Sequence, residues 1–357
     1  MKKYFLVTIT ILLLIDLSCK KEQKNNNSIL ENNKILYNIK YEFKSNATNF
    51  SKTSDVLNFE INITDTIAID SIIFVLDNKK IQKIDKSFVY TLDTKEMTVG
   101  RHELKYILYT KQNQYTISKQ FVLLSDLEPK LRKYKLLKSY PHDVYAYTQG
   151  LIYHNGYLLE STGLETKSSL RRVNITTGEV VNSINLPDKY FGEGIALIGN
   201  NIYMLTWRDH TALLIDANSF EIKNTFNYTT EGWGLATDGN LLYMSDGSNY
   251  IYTVDPANFE IINKIGIYTN KAPVNYLNEL EFINGVLYAN VYREDYIVGI
   301  DIKTGKVIEI VDFKGILPQN MYTDKTDVLN GIAYNIHKKS IYITGKNWPL
   351  LFEVTFE

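Results

Sequence analysis

The 357-residue chain carries 39 basic and 40 acidic side chains, a formal net charge of −1, with no long block of either sign. That balance argues against nucleic-acid binding through a basic surface, and the length admits two domains with a large buried core. Its 27 tyrosines, together with Ile, Val, Thr and Phe, tilt the composition toward strands, so an all-β protein is expected.

The chain opens on Met1-Lys2-Lys3 and an apolar run from Tyr4 to Leu17, interrupted by threonines and Asp16, that ends at Ser18-Cys19. A basic start before a stretch of about 14 apolar residues reads as an export signal over residues 1–18, too short to cross a bilayer as a helix. Cys19 is the only cysteine, so no internal disulfide can form. Its place directly after the apolar run resembles a bacterial lipoprotein signal, with Asp16 departing from that pattern. Residues 19–36 then read as a lipidated cysteine and a polar, flexible tether. The expectation is an exported protein, periplasmic or at the cell surface, touching the membrane through a lipid anchor only.

Residues 37–125 contain short alternating runs, among them Val56–Ile61, Ser71–Leu76, Leu104–Tyr109 and Gln114–Ser118, with turns such as Asp77-Asn78-Lys79-Lys80 between them. That spacing predicts a small immunoglobulin-like β-sandwich. Nothing in it points to chemistry, and it reads as a spacer or docking module. Ser125–Pro129 forms the linker that closes it.

Five times in residues 130–357 a polar or aromatic residue is followed by a small or acidic one, a branched apolar one, a turn and a second strand. The units begin at Gln149-Gly150-Leu151, Glu193-Gly194-Ile195, Trp233-Gly234-Leu235, Asn278-Glu279-Leu280 and Asn330-Gly331-Ile332. Recurrence every 40 to 50 residues or so, with several strands per unit, predicts a five-bladed β-propeller. The last unit is one strand short, and Lys133–Ser139 is expected to supply its outer strand and cover the exposed edge. Because the innermost strand of each blade lines the channel, Gln149, Glu193, Trp233, Asn278 and Asn330 are expected to ring one pocket.

Glu193 is the one carboxylate among those five first positions. Partial burial among aromatics would raise its pKa and suit it to proton transfer near neutrality. A second ring is expected at the ends of the second strands: Glu160-Ser161-Thr162, Thr206-Trp207, Ser245-Asp246, Asn290-Val291-Tyr292 and Thr344-Gly345-Lys346. Trp207, Trp233 and Tyr292 would form an aromatic wall, and Lys346 would offer a positive charge to a carbonyl oxygen. Asp246 in Ser245-Asp246-Gly247 reads as a turn residue. The five histidines lack ligand spacing for zinc. The chain has no nucleophile elbow, phosphate loop or dinucleotide fingerprint.

The ordered segments Tyr147–Leu151, Glu160–Gly163, Tyr190–Gly194, Gly232–Gly239, Ser245–Gly247, Leu277–Glu281, Leu329–Ala333 and Thr344–Lys346 resemble the glutaminyl cyclases of the plant and bacterial type. These are five-bladed propellers that close an N-terminal glutamine to pyroglutamate and release ammonia. The resemblance runs from about Tyr147 to Glu353 and leaves out the tether and the first domain. It implies Glu193 as the proton shuttle, Lys346 at the developing oxyanion and Asn278 at the substrate amine or amide. Gln149 would be a further polar group of the pocket, and Trp207 and Trp233 its walls. Tyr292 falls where the plant member has tryptophan. The substrates would be peptides or proteins beginning with glutamine, catalysis would need no metal, and a structural calcium on the propeller axis is admitted. Two other classes stay open: a non-catalytic binding scaffold, and a metal-dependent lactonase or esterase using Glu193, Asn278 and Asn330 as ligands.

Overall fold

The computed structural model describes residues 40–64, 68–84 and 89–357, whose regular structure is strand apart from one short 3-10 turn at Gln319–Met321. The expected export signal, Cys19 and the whole of the tether lie outside the described residues. Two sheets come first. One has the order Tyr41–Ser45, Val56–Ile63, Val89–Asp93, and the other Lys79–Ile84, Ser71–Leu76, Gly100–Tyr109, Gln114–Leu123. In Gly100–Tyr109 every second residue is buried, the period of a strand with one face turned to a core. Across the gap Phe43 meets Tyr106 at 6.0 Å and Phe59 meets Phe121 at 5.2 Å.

This pair of sheets is tied to the C-terminal part of the chain. Val99 and Ser125 donate backbone N–H groups to Thr304 and Thr269, Val99, Leu124 and Tyr268 form an apolar cluster, and Lys306 reaches Asp126 at 2.7 Å.

Five sheets make up the remainder, each built on antiparallel strands that follow in chain order, with an earlier strand added at the outer edge of the last two. Their innermost strands are Thr148–His154, Gly192–Ile198, Leu235–Thr237, Leu277–Ile283 and Leu329–Asn335; the sheets are numbered 1 to 5 in that order. Each innermost strand contacts the next, and the fifth contacts the first, so the sheets close into a ring. The inner hairpin of sheet 1 turns on Asn155 and Gly156, both at positive φ (50° and 85°), the conformation that suits a two-residue turn to the twist of its strands. Apolar side chains such as Ile195, Met204, Leu213 and Ile202 fill the space between sheets 1 and 2.

Closure uses the segment anticipated for it, displaced slightly. Tyr134–Pro141 pairs antiparallel with Leu350–Phe356 as the outer strand of sheet 5. The three preceding residues, Lys130–Arg132, add a fifth, parallel strand to sheet 4 beside Lys306–Asp312. Lys133 lies between the two strands and accepts the N–H of Glu357. The entering chain thus holds two sheets together, and the second of these contacts was not anticipated from the sequence.

Candidate active site

The first residues of the repeats are set by interruptions in the strand ladder. Register shifts fall between Thr148 and Gly150, Gly192 and Ile195, Leu277 and Leu280, and Leu329 and Ile332. Gln149, Glu193, Asn278 and Asn330 therefore sit at bulges, where a residue leaves the ladder and its side chain is re-aimed. The glycine that comes next in four of the five units lets neighbouring sheets approach. A Cβ at Gly234 would lie 1.9 Å from the carbonyl oxygen of Asn278. In sheet 4 this position is Glu279.

A cavity of about 350 Å³ opens among these bulges. Seven of the eight residues expected at catalytic or substrate-binding positions line it: Gln149, Glu193, Trp207, Trp233, Asn278, Tyr292 and Lys346. Tyr147, Leu164 and Phe191 complete the lining. Asn330 is not on the surface of the cavity. It is fully buried and donates Nδ2 to the Thr148 carbonyl at 2.9 Å and to Gln149 Oε1 at 3.3 Å. The Gln149 amide is thereby oriented with Nε2 toward Glu193 Oε1, at 3.2 Å. Asn330 acts on the cavity through Gln149, because its bulge points it back across the seam between sheets 5 and 1.

Glu193 is 5 % exposed. Burial pushes its carboxyl well above the usual range; Lys346 opposes that and Glu231 adds to it. Lys346 is 4 % exposed, with Nζ 4.7 Å from the Tyr147 ring centre and 5.5 Å from that of Tyr292. Burial lowers its pKa, while Glu193 and Asp327 partly restore it. The Lys346 backbone is clamped on both sides, N–H to Val328 and C=O from Asp327 N–H. The next residue, Asn347, donates to the carbonyls of Ala146 and Val144. Asn278 offers an Oδ1 that is buried and has no partner among the described residues, an acceptor available to a donor entering the cavity.

The walls are paired rings. Trp233 meets Tyr292 edge-on at 5.7 Å, and Trp207 lies 5.5 Å from Phe191. Both indole N–H groups end on one carboxylate, Glu231, which no repeat signal marks. Tyr147 likewise donates to Asp327 at 3.0 Å.

Most of the second ring serves another purpose. Ser161 donates to the Glu193 carbonyl at 2.6 Å, Ser245 to the Asn278 carbonyl at 2.7 Å, and Asn290 Oδ1 accepts from Gly331 N–H at 3.0 Å. These residues stitch sheets 1, 3 and 4 to the bulge of the sheet that follows each. Asp246 takes the Ser248 N–H and the Tyr252 hydroxyl, the turn role expected of it. Glu160 is buried between His142 and Arg171. Burial would push its carboxyl up, but the Arg171 guanidinium and the His142 ring hold it well below the usual range. His142 also bonds the Trp348 carbonyl, so this cluster braces the turn that carries Lys346.

The donor set bears on both metal expectations. A ligand trio of Glu193, Asn278 and Asn330 is not assembled, because Asn330 lies behind Gln149, whose N–H faces the Glu193 carboxylate. Near the axis, the two oxygens of Glu279 accept the Leu151 and Ile332 N–H groups at 3.3 and 2.9 Å. Among the described residues, no group of three or more His, Cys, Asp or Glu side chains is placed to hold an ion. A calcium ion needs six to eight oxygens or so, and there it would have to draw most of them from backbone carbonyls or water.

A family model described as glutamine cyclotransferase matches residues 107–356. A glutaminyl-peptide cyclotransferase of Arabidopsis thaliana is 37% identical over 235 residues, covering 64% of this chain and 73% of the relative. The solved glutaminyl cyclase of Myxococcus xanthus superposes with a TM-score of 0.60 at 33% identity, covering 64% of this chain and 99% of the other. With the match extending over the whole ring of sheets and the cavity within it, the chain belongs to the glutamine cyclotransferase family.

Proposed function

We propose that the protein converts the N-terminal glutamine of peptides or proteins to pyroglutamate with release of ammonia, as the names of its relatives indicate for them. One observation carries the mechanism: a buried carboxyl group whose pKa burial raises (Glu193), a buried lysine (Lys346) and an unpartnered amide oxygen (Asn278) share one aromatic-walled cavity. The reaction needs those three functions.

An α-amine with a pKa near 8 is already partly neutral at neutral pH, so the site's main tasks are orientation and proton transfer. Asn278 Oδ1 accepts a hydrogen bond from the substrate amine or amide. The amine nitrogen attacks the side-chain amide carbon while the Glu193 carboxylate takes the proton it sheds. Lys346 stands against the oxyanion that forms. Glu193 then gives the proton to the amide nitrogen, the C–N bond breaks, ammonia leaves and the five-membered lactam remains. A raised pKa suits Glu193 to both halves of that shuttle. Trp207, Trp233 and Tyr292 exclude water from the reacting atoms, and Gln149, oriented by Asn330, orients the shuttle.

No step in this scheme uses a metal. A structural calcium on the axis, with Glu279 among its ligands, is a separate proposal about stability. The closed ring of five sheets supports a five-bladed propeller over residues 130–357, and the two packed N-terminal sheets support an immunoglobulin-like sandwich over residues 37–125. Among the described residues, no helix is long and apolar enough to cross a membrane. Export, and membrane attachment through lipid on Cys19, rest on the sequence pattern of residues 1–36. The test is ammonia release from a glutaminyl dipeptide with and without EDTA. Equal turnover in both supports metal-independent cyclisation, and no turnover in either removes the proposal.

A further inference from the structure

Glu231 precedes the third repeat by two residues and belongs to none of the recurring positions. Its Oε2 accepts Trp207 Nε1 at 2.8 Å and Trp233 Nε1 at 3.0 Å, and its Oε1 accepts Arg208 Nε at 3.1 Å. Trp207 comes directly after the second strand of sheet 2, and Trp233 precedes the first strand of sheet 3, so one side chain fixes two cavity walls carried by different sheets. The Arg208 guanidinium in turn stacks 3.8 Å from the Trp207 ring centre, covering its outer side. These hydrogen bonds and that stacking tie the carboxylate, the guanidinium and both indoles into one unit at the cavity.

We propose that Glu231 is a positioning residue that holds Trp207 and Trp233 in place as a pair and so sets the affinity of the cavity for the glutaminyl group. The inference rests on the cyclase reading. The carboxylate is committed to protein donors and acts through the two rings. Each ring also leans on one aromatic, Phe191 for Trp207 and Tyr292 for Trp233, but neither contact satisfies an indole N–H. Without an acceptor, a partly buried N–H must turn to find water, and the ring turns with it. Glutamine could keep its carbonyl oxygen toward the indoles but would turn an N–H group toward Arg208, so it should restore only part of the function.

The test compares Glu231→Ala and Glu231→Gln with the unaltered full chain, using a glutaminyl dipeptide for kinetics and acrylamide quenching to read the tryptophans. For the alanine variant, KM is expected to rise about tenfold, the worth of one charge-assisted hydrogen bond, with kcat nearly unchanged. Indole quenching should increase in the same variant. The glutamine variant should fall between it and the parent in both readouts. The acid limb of kcat/KM should move to lower pH in both variants, since an anion near Glu193 has gone. An alanine variant with parental KM and parental quenching would overturn the proposal, as would a loss confined to kcat. If the parent itself does not turn over glutamine, the cyclase reading fails, and quenching still decides whether Glu231 holds the indoles.

Discussion

Replacing Glu193 by glutamine separates chemistry from architecture. The substitution keeps the shape of the side chain and an oxygen able to accept from Gln149 Nε2, which lies 3.2 Å from the carboxylate, so the bulge and its neighbours need not move. It removes the only group in the proposed scheme that both accepts and returns a proton. A positioned acid or base is worth roughly 10²–10⁴ in rate, and kcat should fall by that factor while KM, set by the walls and Asn278, stays within a few-fold. Stability should not fall with activity. The charged form of Glu193 is disfavoured by burial despite Lys346, so the neutral amide removes an unfavourable term wherever the carboxylate would be ionised. Steady-state ammonia release and a thermal melt on the same sample measure the two effects. Turnover within threefold of the parent, or a fall in melting temperature of the size expected for a core defect, would refute the assignment.

Lys346→Met should lower kcat by about 10²–10³, the usual cost of losing one oxyanion-stabilising group, with a smaller change in KM. The pH profile of kcat/KM should have its acid limb above the ordinary carboxylate range and a basic limb below that of free lysine, because burial raises Glu193 and lowers Lys346. Titrating the parent and the two variants assigns each limb. Because the folded-state values of Glu193 and Glu279 are raised, their contribution to stability is fully present below the unfolded carboxylate pKa, near 4.3, and is lost as pH rises through the raised values. Denaturant melts should show Glu193→Gln flattening that fall. Gly234→Ala forces a Cβ to 1.9 Å from the Asn278 carbonyl. It should cost about 1–3 kcal/mol and raise KM by displacing Asn278, checked by melting and kinetics together.

Most of the cavity was legible because one sequence period governs fold and site alike. The unit that repeats the inner hairpin also repeats the bulge, so marking Gln149, Glu193 and Asn278 as equivalent amounts to locating them at one end of one ring. Asn330 shows the limit of that logic. Its position in the repeat is equivalent, but the side chain can fold back across the seam, and periodicity does not choose between the two directions. Glu231 and Asp327 were missed because they lie in connections outside the period. Their importance comes from what they accept, the indole N–H groups of Trp207 and Trp233 and the hydroxyl of Tyr147, and those pairings exist only once the sheets are arranged. A faint signal was present in Glu231-Gly232-Trp233, a carboxylate two residues from a ring it could cap.

The break in the repeat carries its own argument. Four units place glycine after the marked residue, and the fourth places Glu279 there, which is 1% exposed. Its two oxygens take backbone N–H groups from sheets 1 and 5 while its backbone belongs to sheet 4, so one side chain spans the seam where the chain closes on itself. That seam joins inner strands that are the most distant in sequence, so its contacts carry the largest loop-closure entropy of the ring. The same seam carries Asn330, Gln149 and, beyond the cluster of His142, Glu160 and Arg171, the turn that holds Lys346. Closure of the ring and alignment of Glu193 with Lys346 therefore depend on adjacent residues: a defect that loosens the seam should reach the chemistry before it unfolds the sheets.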